Sequence, residues 1–166
     1  MPKVYLASDH AGFELKGTLV AYLGTLGYAV TDMGASTFAP GDDYPDYITP
    51  CAQKVAQENA HSAVAQAFGI ILGGSGQGEA MAANRVSGAR AAVFYGLAHV
   101  SAALDTANSG DDGYAIVRLA REHNDANLLS LGARFLKEEE AKEAARFFLE
   151  TPFSGDARHQ RRLAEF

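Results

Sequence analysis

Apolar residues along this chain fall into two kinds of segment that take turns. Val4 to Ala7 is a short continuous run of strand formers, closed by the polar stretch Ser8-Asp9-His10-Ala11-Gly12. Phe13, Leu15, Leu19, Val20 and Leu23 then recur at helical spacing until Gly24 and Gly27 end the pattern. A second strand starts at Tyr28-Ala29-Val30 and stops near Asp32-Met33-Gly34, and residues 35–45 hold the Gly, Pro and Asp of a loop. A helix is expected from about Tyr47 to Asn59, a third strand from Phe68 to Leu72, and a helix from Ala80. A fourth strand is expected over Ala91 to Tyr95 and a fifth over Leu128 to Leu131. Between them the spacing predicts helices over Leu97 to Ala107 and Tyr114 to Glu122, separated by the polar break at residues 108–113. Lys137 to Glu150 reads as a long amphipathic helix. Runs this apolar, alternating with helices, predict a parallel sheet covered on both faces, hence one α/β domain. No repeat or linker divides the chain.

Composition narrows the setting. At 166 residues, 48% hydrophobic and 20% charged, the chain matches an ordinary globular domain with a sizeable core. Its net charge of -6 argues against a nucleic-acid partner. The single cysteine, Cys51, can form no intrachain disulfide and sits where a helix is expected to pack, which favours a reducing compartment. The apolar part of Met1 to Leu6 is too short for a signal peptide, with Asp9 breaking it, and no run approaches the ~20 residues of a membrane span. A cytoplasmic protein without a membrane partner is therefore expected.

The chemistry concentrates where the third strand ends. Gly73-Gly74-Ser75-Gly76-Gln77-Gly78-Glu79 joins that strand to a helix start, an arrangement whose backbone N–H groups point at an anion. It has no Lys-Ser/Thr pair, so it is not a nucleotide P-loop, and a dinucleotide fingerprint belongs at the first strand. A carboxylate would repel a bound phosphate, so Glu79 beside such a loop suggests proton abstraction next to a carbonyl, with Ser75 at hand. Plain structural readings stand beside this one. The glycines can serve a tight turn, and Glu79 can be a favourable first-turn charge. Asp9 can cap a helix with His10 at the surface, and His123 can cap a helix end. Arg158 and Arg162, four apart, can form a solvated face or a phosphate fork. At the sheet's carboxyl edge, where such folds bind ligands, the sequence places Asp9-His10, the glycine turn and His123-Asn124, the last before the fifth strand.

Together these pieces closely resemble the ribose-5-phosphate isomerase B family, which includes subunits of galactose-6-phosphate isomerase. The matching stretches are residues 7–16, Asp43-Tyr44-Pro45, residues 73–84, Gly88-Ala89-Arg90, residues 121–127, Gly132-Ala133-Arg134 and residues 158–162. The resemblance spans nearly the whole chain. It implies a Rossmann-like three-layer domain with a five-stranded parallel sheet, working without metal or other cofactor. It also implies interconversion of ribose 5-phosphate and ribulose 5-phosphate through an enediolate, as in the pentose phosphate pathway. The family assembles as homodimers or homotetramers whose sites lie at the dimer interface. One branch carries a cysteine base where this chain has Gly73; the other carries a glutamate at the end of the loop, which Glu79 matches. By that resemblance Glu79 moves the proton between C2 and C1, while Ser75 and the N–H groups of Gly74, Gly76 and Gly78 hold the enediolate oxygen. Asp9 and His123 match ring-opening residues. His10, Arg134, Arg158 and Arg162 match phosphate-binding positions, and Tyr44 and Asn124 match sugar contacts. The chain departs from the pattern between Arg90 and His123, where a surplus at about 97–113 predicts an extra helix–loop near the substrate or the subunit interface. His99 within it reads as a surface residue. Two alternatives remain: another sugar phosphate (a hexose 6-phosphate or tetrose 4-phosphate), or a non-catalytic phosphate- or nucleotide-binding module.

Overall fold

In a computed structural model, residues 1–62, 64–104 and 112–165 are described. The five strands are β1 (Lys3–Ser8), β2 (Ala29–Asp32), β3 (Ala67–Gly73), β4 (Ala91–Phe94) and β5 (Leu128–Gly132). They form one sheet in the order β2-β1-β3-β5-β4, with every pairing parallel. The helices are α1 (Phe13–Thr25), α2 (Pro45–Asn59), α3 (Gln77–Ala83), α4 (Ala115–Asn124), α5 (Glu138–Glu150) and α6 (Ala157–Leu163).

Side-chain alternation divides the core between the two faces. Val4 and Leu6 of β1, Ile70 and Leu72 of β3, and Leu129 and Leu131 of β5 pack with α1, α4 and α5 on one face. Tyr5 and Ala7, Ile71, and Leu128 point the other way, against Ile48, Cys51 and Val55 of α2 and Ala83 of α3. Strands buried on both sides can carry no polar face, which is why β3 reads as one apolar run. Cys51 is fully buried, and burial pushes its thiol up to about 12, so it packs as a small apolar residue.

The strand order places the site. From β1 the chain crosses to β2 on one side and then returns past β1 to β3 on the other, so β1 and β3 flank the switch point. Parallel sheets open a crevice there, outside the carboxyl ends of the strands. The polar turn after β1 and the glycine turn after β3 therefore face one another.

Two expectations need correction. The helix expected over Leu97 to Ala107 does not form across 97–104, which is irregular, and residues 105–107 lie outside the described part. Residues 97 and 113 instead meet as a neck: the Ala98 N–H donates to the Gly113 carbonyl at 2.9 Å. Gly113, at φ +84°, lies so close to Leu97 that a Cβ there would come within 2.7 Å of the Leu97 Cβ. The second correction concerns His123 and Asn124. They end α4, three residues before β5 begins, and so stand at the amino edge of the sheet, opposite the glycine turn.

Candidate active site

Glu79 is the third residue of α3, in its first turn, and is 4% exposed. The turn before it depends on Gly76, whose φ of +76° lies in the left-handed region and whose Cα sits too near the Leu131 backbone for a Cβ. The Gly76 carbonyl accepts hydrogen bonds from the Ala80 N–H and from the Ser130 hydroxyl, so the turn is pinned to β5. Gly73 is required for another reason. A side-chain carbon there would overlap the Glu79 carboxylate, which occupies the space a side chain at 73 would fill. Burial raises the Glu79 pKa above the ordinary carboxylate value, and the charge of Asp9 adds to the shift. N–H groups of Glu79 and Gly76 draw it back part of the way.

Around this carboxylate lies a cleft of about 470 Å³. Gly74, Ser75 and Gly78 form its floor and Asp9 and His10 one side, with Tyr44, Arg134 and Phe135 completing the wall. Arg134 is held there by the backbone, since the Ala133 and Arg134 N–H groups donate to the Gly73 and Gly74 carbonyls at 2.8 and 3.1 Å. Its guanidinium lies beside Gly74, and the Tyr44 hydroxyl lies so close to Gly78 that a Cβ there would be 2.9 Å away. Gly76 is buried beneath this floor. Asp9 caps the 3₁₀ turn that follows β1, accepting from the Ala11 N–H at 2.9 Å.

Asp42 belongs to the site and carries no local signal in the sequence. One of its oxygens accepts from the His10 backbone N–H at 3.0 Å and stands 2.7 Å from the His10 Nδ1. Burial would raise its pKa, but these bonds from His10 outweigh that and hold it below the usual value. With Nδ1 bonded to the carboxylate, Nε2 is the nitrogen left for a ligand. Asp9, His10 and Asp42 are also the one group among the described residues whose ligand atoms, all within 4.8 Å, would suit a metal ion. Here the His10 nitrogen and the Asp42 oxygen are engaged with each other.

The remaining candidates do not reach this cleft. His123, Asn124, Arg158 and Arg162 gather at the amino edge, where α6 lies against α4 and the Ser154 N–H donates to the Glu122 carbonyl at 3.1 Å. The turn that carries His123 is built on Asp125, whose φ of +41° is left-handed and whose carboxylate binds Arg121 at 2.7 Å and Arg90 at 2.9 Å. His99 is exposed.

A family model described as Ribose/Galactose Isomerase matches residues 4–110 and 112–166. The chain belongs to this family. Over 161 residues it is 39% identical to ribose-5-phosphate isomerase B of Mycolicibacterium paratuberculosis, covering 97% of this chain and 87% of that protein. The corresponding enzyme of Mycobacterium leprae is 40% identical over 168 residues, covering 99% and 89%. Among solved structures, ribose-5-phosphate isomerase B of Mycoplasma genitalium with bound ribulose 5-phosphate superposes with a TM-score of 0.81 at 34% identity, covering 98% and 92%. The Thermotoga maritima enzyme gives 0.80 at 36% identity, covering 99% and 96%. No described helix is long and apolar enough to cross a membrane.

Proposed function

We propose that this chain is a cytoplasmic aldose–ketose isomerase that interconverts ribose 5-phosphate and ribulose 5-phosphate without a metal, with Glu79 as its base. The observation that carries the reading is the buried Glu79 carboxylate, raised in pKa and set beside Ser75 and the N–H groups of a helix start. A carboxylate suffices for carbon deprotonation only when the oxyanion that forms is stabilised, and preorganised N–H and hydroxyl donors do that.

The reaction begins with the furanose. The C1 hydroxyl loses its proton, the bond from C1 to the ring oxygen breaks, and the ring oxygen takes up a proton, leaving an aldehyde at C1. Asp9 and His123 perform these transfers. Glu79 then removes the C2 proton, and the electrons shift to the C1 oxygen, where Ser75 and the loop N–H groups hold the enediolate. Return of the proton from Glu79 to C1, with transfer of the O2 proton to O1, gives the ketose. Tyr44 and Asn124 contact the sugar; His10, Arg134, Arg158 and Arg162 bind the phosphate.

Asp9 and Glu79 stand at one edge of the sheet and His123, Arg158 and Arg162 at the other, so this mechanism needs two copies of the chain. We place the site at the interface of a homodimer, free or within a homotetramer, with the amino edge of one copy completing the carboxyl-edge cleft of its partner. Phe135 in the cleft wall and Tyr95 against it are 62% and 51% exposed, as expected of side chains a partner covers. The neck at residues 97 and 113 leaves the sheet at the same edge, beside Tyr95, which supports a role for the surplus segment in substrate size or assembly.

The test is formation of ribulose 5-phosphate from ribose 5-phosphate by purified protein in EDTA. Turnover is expected. Its absence from folded protein would move the reading to hexose 6-phosphates or tetrose 4-phosphates, and failure of those to a binding module.

A further inference from the structure

The mechanism above gives no role to His159 of the carboxyl-terminal motif. His159, the third residue of α6, is 5% exposed. Its ring lies flat on that of His123, with centroids 4.1 Å apart and planes within 17°. Both helices are anchored so as to keep that contact. The Asp156 carboxylate caps α6 by accepting from the Arg158 N–H at 2.9 Å, and the Ser154 N–H ties the segment before it to the end of α4.

Two stacked imidazoles this close repel if both are protonated. Burial, and after it the charges of His123 and Arg158, lower the pKa of His159, which disfavours a second charge in the stack. A flat ring at van der Waals distance restricts the second torsion of His123, a torsion of a type whose intrinsic preference is broad. A general acid must meet the sugar oxygen at hydrogen-bond distance and along its N–H direction, so this torsion matters to the chemistry.

We propose that His159 is a positioning residue for ring opening: by stacking on His123 it fixes the plane of the imidazole that works at the furanose oxygen. This rests on the assignment of His123 to that step. His159 itself neither gains nor loses a proton.

Two assays on the same protein separate ring opening from enolisation. Turnover of ribose 5-phosphate, largely a furanose in solution, requires both steps. Deuterium exchange at C1 of ribulose 5-phosphate in D2O requires only the second, because its esterified O5 cannot close a furanose. His159→Ala should lower kcat on ribose 5-phosphate about tenfold and leave the exchange rate within about twofold. His159→Phe, which restores a flat ring, should recover most of the loss. Equal losses in both assays, no loss in His159→Ala, or a Phe variant as poor as the Ala variant would overturn the proposal. His123→Ala is the control. If it shows the selective loss and His159→Ala does not, the positioning role alone fails; if it does not, the ring-opening assignment fails and the proposal falls with it.

Discussion

A carboxylate as enclosed as Glu79 has given up most of its hydration, and both its reactivity and its effect on stability follow from that. A raised pKa makes it a stronger base once ionised. The acid limb of kcat/KM is therefore expected above the ordinary glutamate range, with activity lost as pH falls through it. Glu79→Gln should keep substrate binding and lose turnover by roughly 10²–10⁴-fold; a variant with near wild-type kcat would remove Glu79 as the base. Stability runs the other way. A folded pKa above the unfolded one means that the group's favourable contribution is complete below the unfolded pKa. It is lost as pH rises through the folded value. Glu79→Gln should thus raise the Tm at pH 7, with the gain fading below about pH 4. Gly73 is bound to the same carboxylate: Gly73→Ala should cost about as much activity as Glu79→Gln, because its Cβ would displace the base.

Among the elements, the α4–β5 turn shows how a buried network presents a site residue. Arg121 is 3% exposed over the Phe68 ring, and Asp125 pairs with it and with Arg90. Removing one partner of such a network strands buried charge. Asp125→Ala should cost about 3–5 kcal/mol, a fall in Tm of roughly 10 °C by calorimetry. The neck at 97 and 113 suggests a cleaner operation on the surplus segment. Excising 98–111 joins Leu97 to Asp112 and keeps the pairing of Asp112 with Arg118, which holds that carboxyl down at about 2. The shortened protein should fold. Its kcat/KM ratio between pentose and hexose phosphates should shift by at least about tenfold, or its elution volume should change. If neither moved, the segment would have no part in substrate choice or assembly.

At the scale of the molecule, the division of the candidate residues between two edges predicts complementation. Glu79→Gln and His123→Ala dimers are each expected to be nearly inactive. Mixed by unfolding and refolding together, half the dimers should be hybrids, and each hybrid has one site with both residues intact. About a quarter of wild-type activity should return in a steady-state assay. A mixture no more active than its components would place both residues in one subunit's site.

Much of this molecule was legible in the sequence because much of it is local. Five apolar runs, the glycine just past the end of α1, and a turn holding Ser75 and Glu79 at a helix start each depend on residues a few positions apart. So does the alternation that requires a sheet covered on both faces. Over 97–104 the expected helix gives way to a neck that Gly113, sixteen positions on from Leu97, closes against it. The strand order, and with it the meeting of Asp9 with Glu79, came only from tertiary structure. So did the hold of Asp42 on His10, the placing of His123 away from the cleft, and its stack with His159. Local patterns record backbone preference and which face is buried. They carry no information about which distant segments share a core, because that is settled by packing among elements that covalent chemistry does not join.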